Sequence, residues 1–198
     1  MENPGERLVG DYLRYIKGCD FVDFNVYTTA IQGEIDVVAV NNTRKEVYIC
    51  EVVTHLTTGM QYVKNKRPDT SERLTKKFIK NIHYGSETFP DFNIHYMLWS
   101  PVVRSSNGKD EYNQFFLLKR AIEDIQAETG IVVESVINAG FASAIEQLRA
   151  FASKETKELK SPVMRLLQIE EWCRKNVTRI DNKAKLAQAV GKSFVSVS

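Results

Sequence analysis

Two carboxylates stand inside the most apolar stretches of this 198-residue chain. Asp36 lies in the run Ile35–Val40, and Glu51 lies in the run Val47–Val53. Charged side chains are almost never fully buried unless they are paired or bind a metal. Neighbouring carboxylates in an apolar setting repel each other, and a divalent cation such as Mg²⁺, which prefers oxygen ligands, relieves that repulsion. The pair therefore predicts a metal or catalytic site. The alternative is that each carboxylate caps or salt-bridges a strand end.

A β-hairpin is the element that would bring these two acids together. The two runs are rich in β-branched residues, and the polar turn Asn41–Lys45 separates them. Such a pattern is typical of two antiparallel strands. Asp36 and Glu51 lie at similar distances from the turn, so we expect them to converge at one end of a sheet.

Helices and strands alternate along the rest of the chain. Asn3 and Glu6 form a predicted capping box for a first helix that ends near Lys17. The other elements that we predict are strands at 21–27, 92–103 and 131–137 (the last one buried), a helix at 69–84 with its own capping box and a stop at Gly85, and helices at 112–129, 140–157, 162–176 and 183–190. This order predicts an α/β fold with a mixed central sheet flanked by helices and with additional C-terminal helices. We expect a domain over residues 1–157 and a helical extension over 158–198.

The composition, with 43% apolar and 26% charged residues, is that of an ordinary globular protein. No apolar run is long enough for a membrane span, and the polar N-terminus is unlike a secretory signal. Three cysteines without framework spacing indicate a reducing compartment, so we expect a cytoplasmic protein. The spacing of histidines and cysteines argues against a zinc site, and no motif indicates a small-molecule cofactor.

Positive charge is concentrated in two regions. Residues 64–80 contain seven Lys/Arg and two acids, and residues 154–192 contain ten Lys/Arg and five acids. Basic flanks beside an acidic centre suit a metal site next to a polyanion, although they also fit ordinary helix surfaces. Residues 186–196 faintly resemble the start of a helix-turn-helix, with an amphipathic tail as the alternative.

Taken together, the motifs resemble the PD-(D/E)XK nuclease superfamily, nearest its archaeal Holliday-junction resolvase and resolvase-like branch. They are a Gly-Glu pair in the first helix, GEIDVVA at 33–39, and an apolar strand ending in E-x-x-T-H at 51–55, and the similarity covers about residues 4–84. The resemblance implies a restriction-endonuclease-like fold. It also implies an enzyme that cuts DNA and uses Mg²⁺ or Mn²⁺ as its cofactor. The resemblance is compatible with a homodimer, and it implies no association with a membrane. The acids that match the metal-binding positions are Glu6, Asp36 and Glu51, with Glu34 in support.

One position departs from the family pattern. The superfamily lysine lies two residues after the strand glutamate, where this chain has Val53. Some branches supply the cation from the following helix, and Lys77 flanks the apolar stripe there, so we predict it as the displaced catalytic lysine. His55, directly after the strand, is a further supporting candidate. The alternative is a catalytically inactive nuclease fold that serves as a nucleic-acid-binding or protein-interaction module. The cations that we expect to hold DNA are Lys64, Lys66, Arg67, Arg73, Lys76 and Lys80.

Overall fold

A computed structural model describes residues 3–28, 31–64, 67–106 and 113–189. In these ranges the chain has an α/β architecture, as the sequence predicts. The elements are α1 (Pro4–Tyr15), β1 (Phe21–Thr28), β2 (Ile31–Asn41), β3 (Glu46–Val52), β4 (Val63–Lys64), β5 (Arg67–Pro68), α2 (Thr70–Thr88), β6 (Asn93–Ser100), α3 (Gln114–Thr129), β7 (Glu134–Ile137), α4 (Ala139–Ala152) and α5 (Pro162–Ala189).

Five strands form one mixed sheet in the order β1-β2-β3-β6-β7, while β4 and β5 pair separately. Strands β1, β2 and β3 are antiparallel neighbours, whereas β6 runs parallel to β3 and β7 runs parallel to β6. Parallel neighbours need a crossover connection, and here α2 and α3 provide it. The predicted mixed sheet flanked by helices is confirmed.

The strand register sets a row of polar residues across the sheet. Val37 pairs with Cys50 in the β2–β3 ladder, so the next position on each strand is Asp36 opposite Glu51. In the β1–β2 ladder Phe24 pairs with Val37, and the same register places Asn25 opposite Asp36. The row lies where the β2–β3 hairpin ends.

An apolar layer covers each face of the sheet. On one face strand residues pack with residues of α2 and α3, including Val38, Ile49, Leu98, Leu74, Phe78, Leu118 and Ile125. On the other face strand residues pack with residues of α1 and α4, including Val37, Cys50, Trp99, Val9, Leu13 and Phe141. Both faces of the central strands are therefore buried, which explains their nearly continuous apolar sequences.

The chain divides into two compact units, Met1–Gln147 and Leu148–Ser198. The division falls within α4, earlier than the boundary after residue 157 that the sequence suggested, and the independence of the two parts stays a prediction. In the second unit α5 buries Met164 and Leu167. None of the helices in the described ranges is both long enough and apolar enough to cross a membrane.

Two predicted helix ends are wrong. The helix expected to stop at Gly85 continues to Thr88, and Gly85 is buried inside it. A Cβ atom at Gly85 would lie 2.8 Å from Ile49 Cδ1, so this glycine permits close packing of the helix on the sheet. The two helices predicted at 162–176 and 183–190 are the single helix α5.

Two finer predictions also fail. Asp69 is the N-cap residue of α2, but its side chain makes no capping hydrogen bond, and Glu72 instead pairs with Lys76. The strand expected to be buried at 131–137 is shorter, and Val132 before it is exposed. The segment at 186–196 that resembles a helix-turn-helix continues beyond residue 189, where the described residues end.

Candidate metal and catalytic site

Asp36 and Glu51 are buried side by side at the end of the β2–β3 hairpin. The backbone N–H of Val52 donates a hydrogen bond of 2.6 Å to Asp36 Oδ2. The side chains of Asp36 and Glu51 lie within hydrogen-bonding reach of each other. The expected convergence of the two acids is present, and the hairpin register accounts for it.

Helix α2 places two further side chains on Glu51. Lys77 Nζ pairs with Glu51 Oε2 and lies 4.0 Å from Asp36 Oδ1. Asn81, which the sequence analysis missed, donates a hydrogen bond of 2.8 Å to Glu51 Oε1. Its position four residues after Lys77, on the same helix face, is the signal that could have identified it. The ammonium, the amide and the two carboxylates form one connected group.

Glu6 approaches the same group from α1. The backbone N–H of Asn3 donates to its carboxylate, which is the reciprocal bond of a capping box, and Asn3 Oδ1 accepts from Gly5 N at 2.9 Å. Asn25 Nδ2 also donates to Glu6 Oε2, at 3.2 Å. A Cβ atom on Gly5 would lie 2.7 Å from Thr54 Oγ1, so the start of α1 lies against the segment that follows β3.

Asn25 has an unusual backbone conformation for a residue within a strand. Its φ of 51° is in the left-handed region, which asparagine tolerates better than most residues. Backbone strain of this kind is concentrated at functional sites. Apart from this general tolerance, nothing in the sequence indicated that Asn25 would contact Glu6.

The remaining sequence candidates lie around this group with different contacts. Glu34, half-buried on β2, accepts a hydrogen bond from the Tyr27 hydroxyl, and His55 is exposed after β3. Arg73 lies with its guanidinium carbon 4.5 Å from the ring centroid of half-buried Tyr62.

The basic residues predicted to hold DNA are only partly described. Lys76 is exposed and pairs with Glu72, and Lys80 is exposed one turn later on α2. Lys66 lies outside the described residues, as do the side chains of Lys64 and Arg67. Arg73, Lys76 and Lys80 therefore provide the described part of the predicted basic surface.

Burial and mutual repulsion determine the protonation of the acids. Burial and the neighbouring Asp36 carboxylate raise the pKa of Glu51 to about 7, against the opposing effect of Lys77. Burial also raises the pKa of Asp36, although Lys77 and the Val52 N–H oppose the rise. The pKa of Glu6 is raised by burial and by Asp36. For Lys77, burial alone would lower the pKa, but Glu51 and Asp36 together raise it.

Val53 lies where the motif that this chain resembles has a lysine, and it is a core residue here. Its side chain is buried in the apolar layer shared with α2 and α3. Its backbone N–H donates to the carbonyl oxygen of Trp99 at 2.9 Å. The cationic group next to the acids therefore comes from α2, through Lys77, and not from β3.

The donor set is compatible with Mg²⁺. Within the described ranges, no group of three or more His, Cys, Asp or Glu side chains is arranged to hold a metal ion. Mg²⁺ usually needs only one or two carboxylates, with water and substrate phosphate as its other ligands. Asp36 and Glu51 supply two carboxylates against the single ammonium of Lys77, so a cation would relieve their repulsion.

No family model matches this chain, and no curated protein or solved structure is detectably similar to it.

We expect Glu51→Gln to stabilise the protein at alkaline pH. The raised pKa of Glu51 means that the folded state binds its proton more tightly than the unfolded state does. Protonated Glu51 therefore stabilises the folded state. This contribution is fully present below pH 4.5, the pKa of Glu51 in the unfolded chain, and is lost as the pH rises through about 7. Urea unfolding should therefore show a gain of about 1–2 kcal/mol for the variant at about pH 8, and almost none at about pH 5.

Glu72→Gln is the matched control for this pH experiment, because Glu72 is an exposed acid paired with a lysine on α2. It should change the free energy of unfolding little at either pH. A Glu51→Gln variant that is less stable than the wild type at alkaline pH would contradict the argument.

Proposed function

We propose that the protein is a metal-dependent DNA endonuclease of the PD-(D/E)XK type, with its lysine supplied by the helix after the central hairpin. The observation that carries the proposal is the position of Lys77, which pairs with Glu51 and lies 4.0 Å from Asp36. An ammonium beside two buried carboxylates suits phosphodiester hydrolysis, because the carboxylates can hold a metal ion and the ammonium can stabilise charge on the phosphate. Val53 therefore does not leave the site without a lysine.

Asp36 and Glu51 would hold Mg²⁺ or Mn²⁺, with Glu6 in support from α1. When bound, the metal supplies Lewis-acid activation of water and neutralises charge on the phosphate. Val52 and Asn81 orient the two carboxylates through their hydrogen bonds. Glu34 and His55 are proposed for no more than a supporting role, because neither contacts Asp36 or Glu51 in the interactions described above.

Lys77 would stabilise the charge that develops on the phosphate. Its side chain is one-third exposed, so it is accessible to a substrate as well as to Glu51. Arg73, Lys76 and Lys80 lie on the same helix and would contact the DNA backbone without reading its sequence. DNA is thus the proposed partner.

The proposal predicts that Lys77→Met lowers the single-turnover rate of DNA cleavage by roughly 10²–10³-fold, because the variant keeps the length of the side chain and loses its charge. The measurement is nicking or cutting of duplex and branched DNA in Mg²⁺ and in Mn²⁺. Lys77→Arg should retain part of the activity.

Lys76→Met is the matched control, since Lys76 precedes Lys77 on α2 and pairs only with exposed Glu72 among the contacts described. It should leave the cleavage rate within a few fold of the wild type, with a small loss of DNA affinity. A Lys77→Met enzyme that cuts at the wild-type rate would refute the role of Lys77.

A second candidate function is an inactive nuclease fold that binds nucleic acid or protein without cutting. It is favoured by Val53, which is packed into the apolar core where the superfamily has its lysine. This reading predicts salt-dependent DNA binding and no cleavage in any divalent metal ion. The cleavage assay on the wild-type protein separates the two candidates directly.

We also propose a cytoplasmic location. All three cysteines are free thiols, two of them buried and Cys173 exposed, and a reducing compartment maintains thiols in this state.

A further inference from the structure

Helix α5 has a second apolar face in addition to its buried one. The buried face includes Met164, Leu167 and Glu171. On the opposite side, residues three or four positions apart form an apolar stripe: Leu166, Ile169, Cys173, Val177, Ile180 and Ala184. Its four large members, Leu166, Ile169, Val177 and Ile180, are between 44% and 66% exposed, far more than a packed helix face allows. In the described part of the chain, nothing covers this stripe.

The second half of α5 also lacks packing of its own. From Trp172 to Lys185 all residues are exposed except Asn176 and Ala184, which are half-exposed. Isolated helices of about a dozen residues are only marginally stable in water. A contiguous apolar stripe on such a helix marks an interaction surface.

We propose that this stripe is the interface with a second copy of the chain, formed by antiparallel pairing of α5 with its symmetry-related partner. With the two-fold axis between Val177 and Ile180, Val177 of one copy packs on Ile180 of the other. The same register sets Cys173 against Ala184. Large residues then meet at the centre, and small ones meet on either side.

The charges beside the stripe favour this arrangement. Arg174 and Asp181 lie seven residues apart on one edge of the stripe, and the antiparallel register places each of them near the other on the second copy. The Arg174 side chain is 70% exposed although it pairs with Glu171, so it is accessible to a partner. A parallel pairing would instead set Arg174 against the opposite edge, where the nearest residues are Trp172, Lys175 and Asn176 and include no acid.

The oligomeric state of the full-length protein tests this proposal. Sedimentation over a hundredfold range of protein concentration should show a monomer–dimer equilibrium. Ile180→Glu should shift the midpoint at least tenfold towards the monomer, because it places a charge at the centre of the interface. Thr178→Glu, on the same exposed segment but off the stripe, is the matched control and should leave the midpoint within about twofold. A wild-type protein that stays monomeric throughout the range overturns the proposal.

Cross-linking determines the register independently of stability. Ala184→Cys should form a disulfide between Cys173 of one copy and residue 184 of the other when oxidised glutathione is added. The other two cysteines are buried and should not react. A Cys173–Cys173 cross-link in the wild-type protein would overturn the proposed register, which places the two Cys173 residues on opposite sides of the axis and out of reach of each other. Neither experiment involves DNA cleavage, so each outcome is independent of the proposed nuclease activity.

Discussion

Replacing Asp36 with asparagine is expected to reduce DNA cleavage to background, a loss of at least about 10³-fold in single-turnover rate. Asp36 is the acid that connects the site: it contacts the Val52 N–H, lies opposite Glu51, and is 4.0 Å from Lys77 Nζ. Asparagine has nearly the same shape but has lost the negative charge and one of the two oxygen acceptors. The loss should therefore affect cation binding and catalysis far more than folding.

Two measurements make this result specific. Titration calorimetry with Mn²⁺ should show weaker binding in Asp36→Asn, because one of two anionic ligands is gone. Urea unfolding should show a protein at least as stable as the wild type at neutral pH, because burial already disfavours the charged form of Asp36.

Asp23→Asn is the control in the same sheet. Asp23 is exposed on β1, and its carboxylate accepts a hydrogen bond from the N–H of the following residue, Phe24. Its replacement should leave metal binding and cleavage unchanged. Cleavage that persists in both Asp36→Ala and Glu51→Ala, with the fold intact, would exclude this group of residues as the catalytic site.

The central part of the site could be predicted because it depends on short-range patterns. The hairpin runs share a turn, so the positions of Asp36 and Glu51 follow from counting along two strands. Lys77 could be predicted because it flanks the apolar stripe of α2, and helical periodicity directs such a residue towards the sheet. In each case the position of the side chain follows from the regular repeat of one strand or one helix, which a short stretch of sequence reveals.

The contacts that the sequence did not reveal depend on tertiary packing. Asn25 contacts Glu6 with its backbone in the left-handed region, a conformation that no pattern in β1 indicates. Gly85 is a helix-stop signal in the sequence, yet α2 continues through it, and the missing side chain allows close contact with Ile49. Local stop signals are weaker than the free energy gained by burying a helix face.

Val53→Lys is expected to destabilise the protein by about 2–4 kcal/mol, although it introduces the lysine that the resembled motif has at this position. Val53 is 5% exposed in the apolar layer beneath α2 and α3. A lysine at this position must bury its long aliphatic chain where the compact valine side chain now packs. Its ammonium group would also lie near the ammonium group of Lys77, which already pairs with Glu51. Two cations beside two carboxylates gain little attraction and add mutual repulsion.

Val53→Met and the double variant Val53→Lys/Lys77→Met separate these effects. Val53→Met has a similar length without a charge, so it should cost less than half as much as the lysine. In the double variant the only ammonium would come from β3, and part of the stability should return because the repulsion between two lysines is gone. If Val53→Lys alone were as stable as Val53→Met and cut DNA faster than the wild type, then Lys77 would not replace the missing lysine. The double variant is also compared with Lys77→Met alone. If only the double variant cuts DNA, a lysine at position 53 can take the place of Lys77, and the site needs one lysine, supplied either from the end of β3 or from α2.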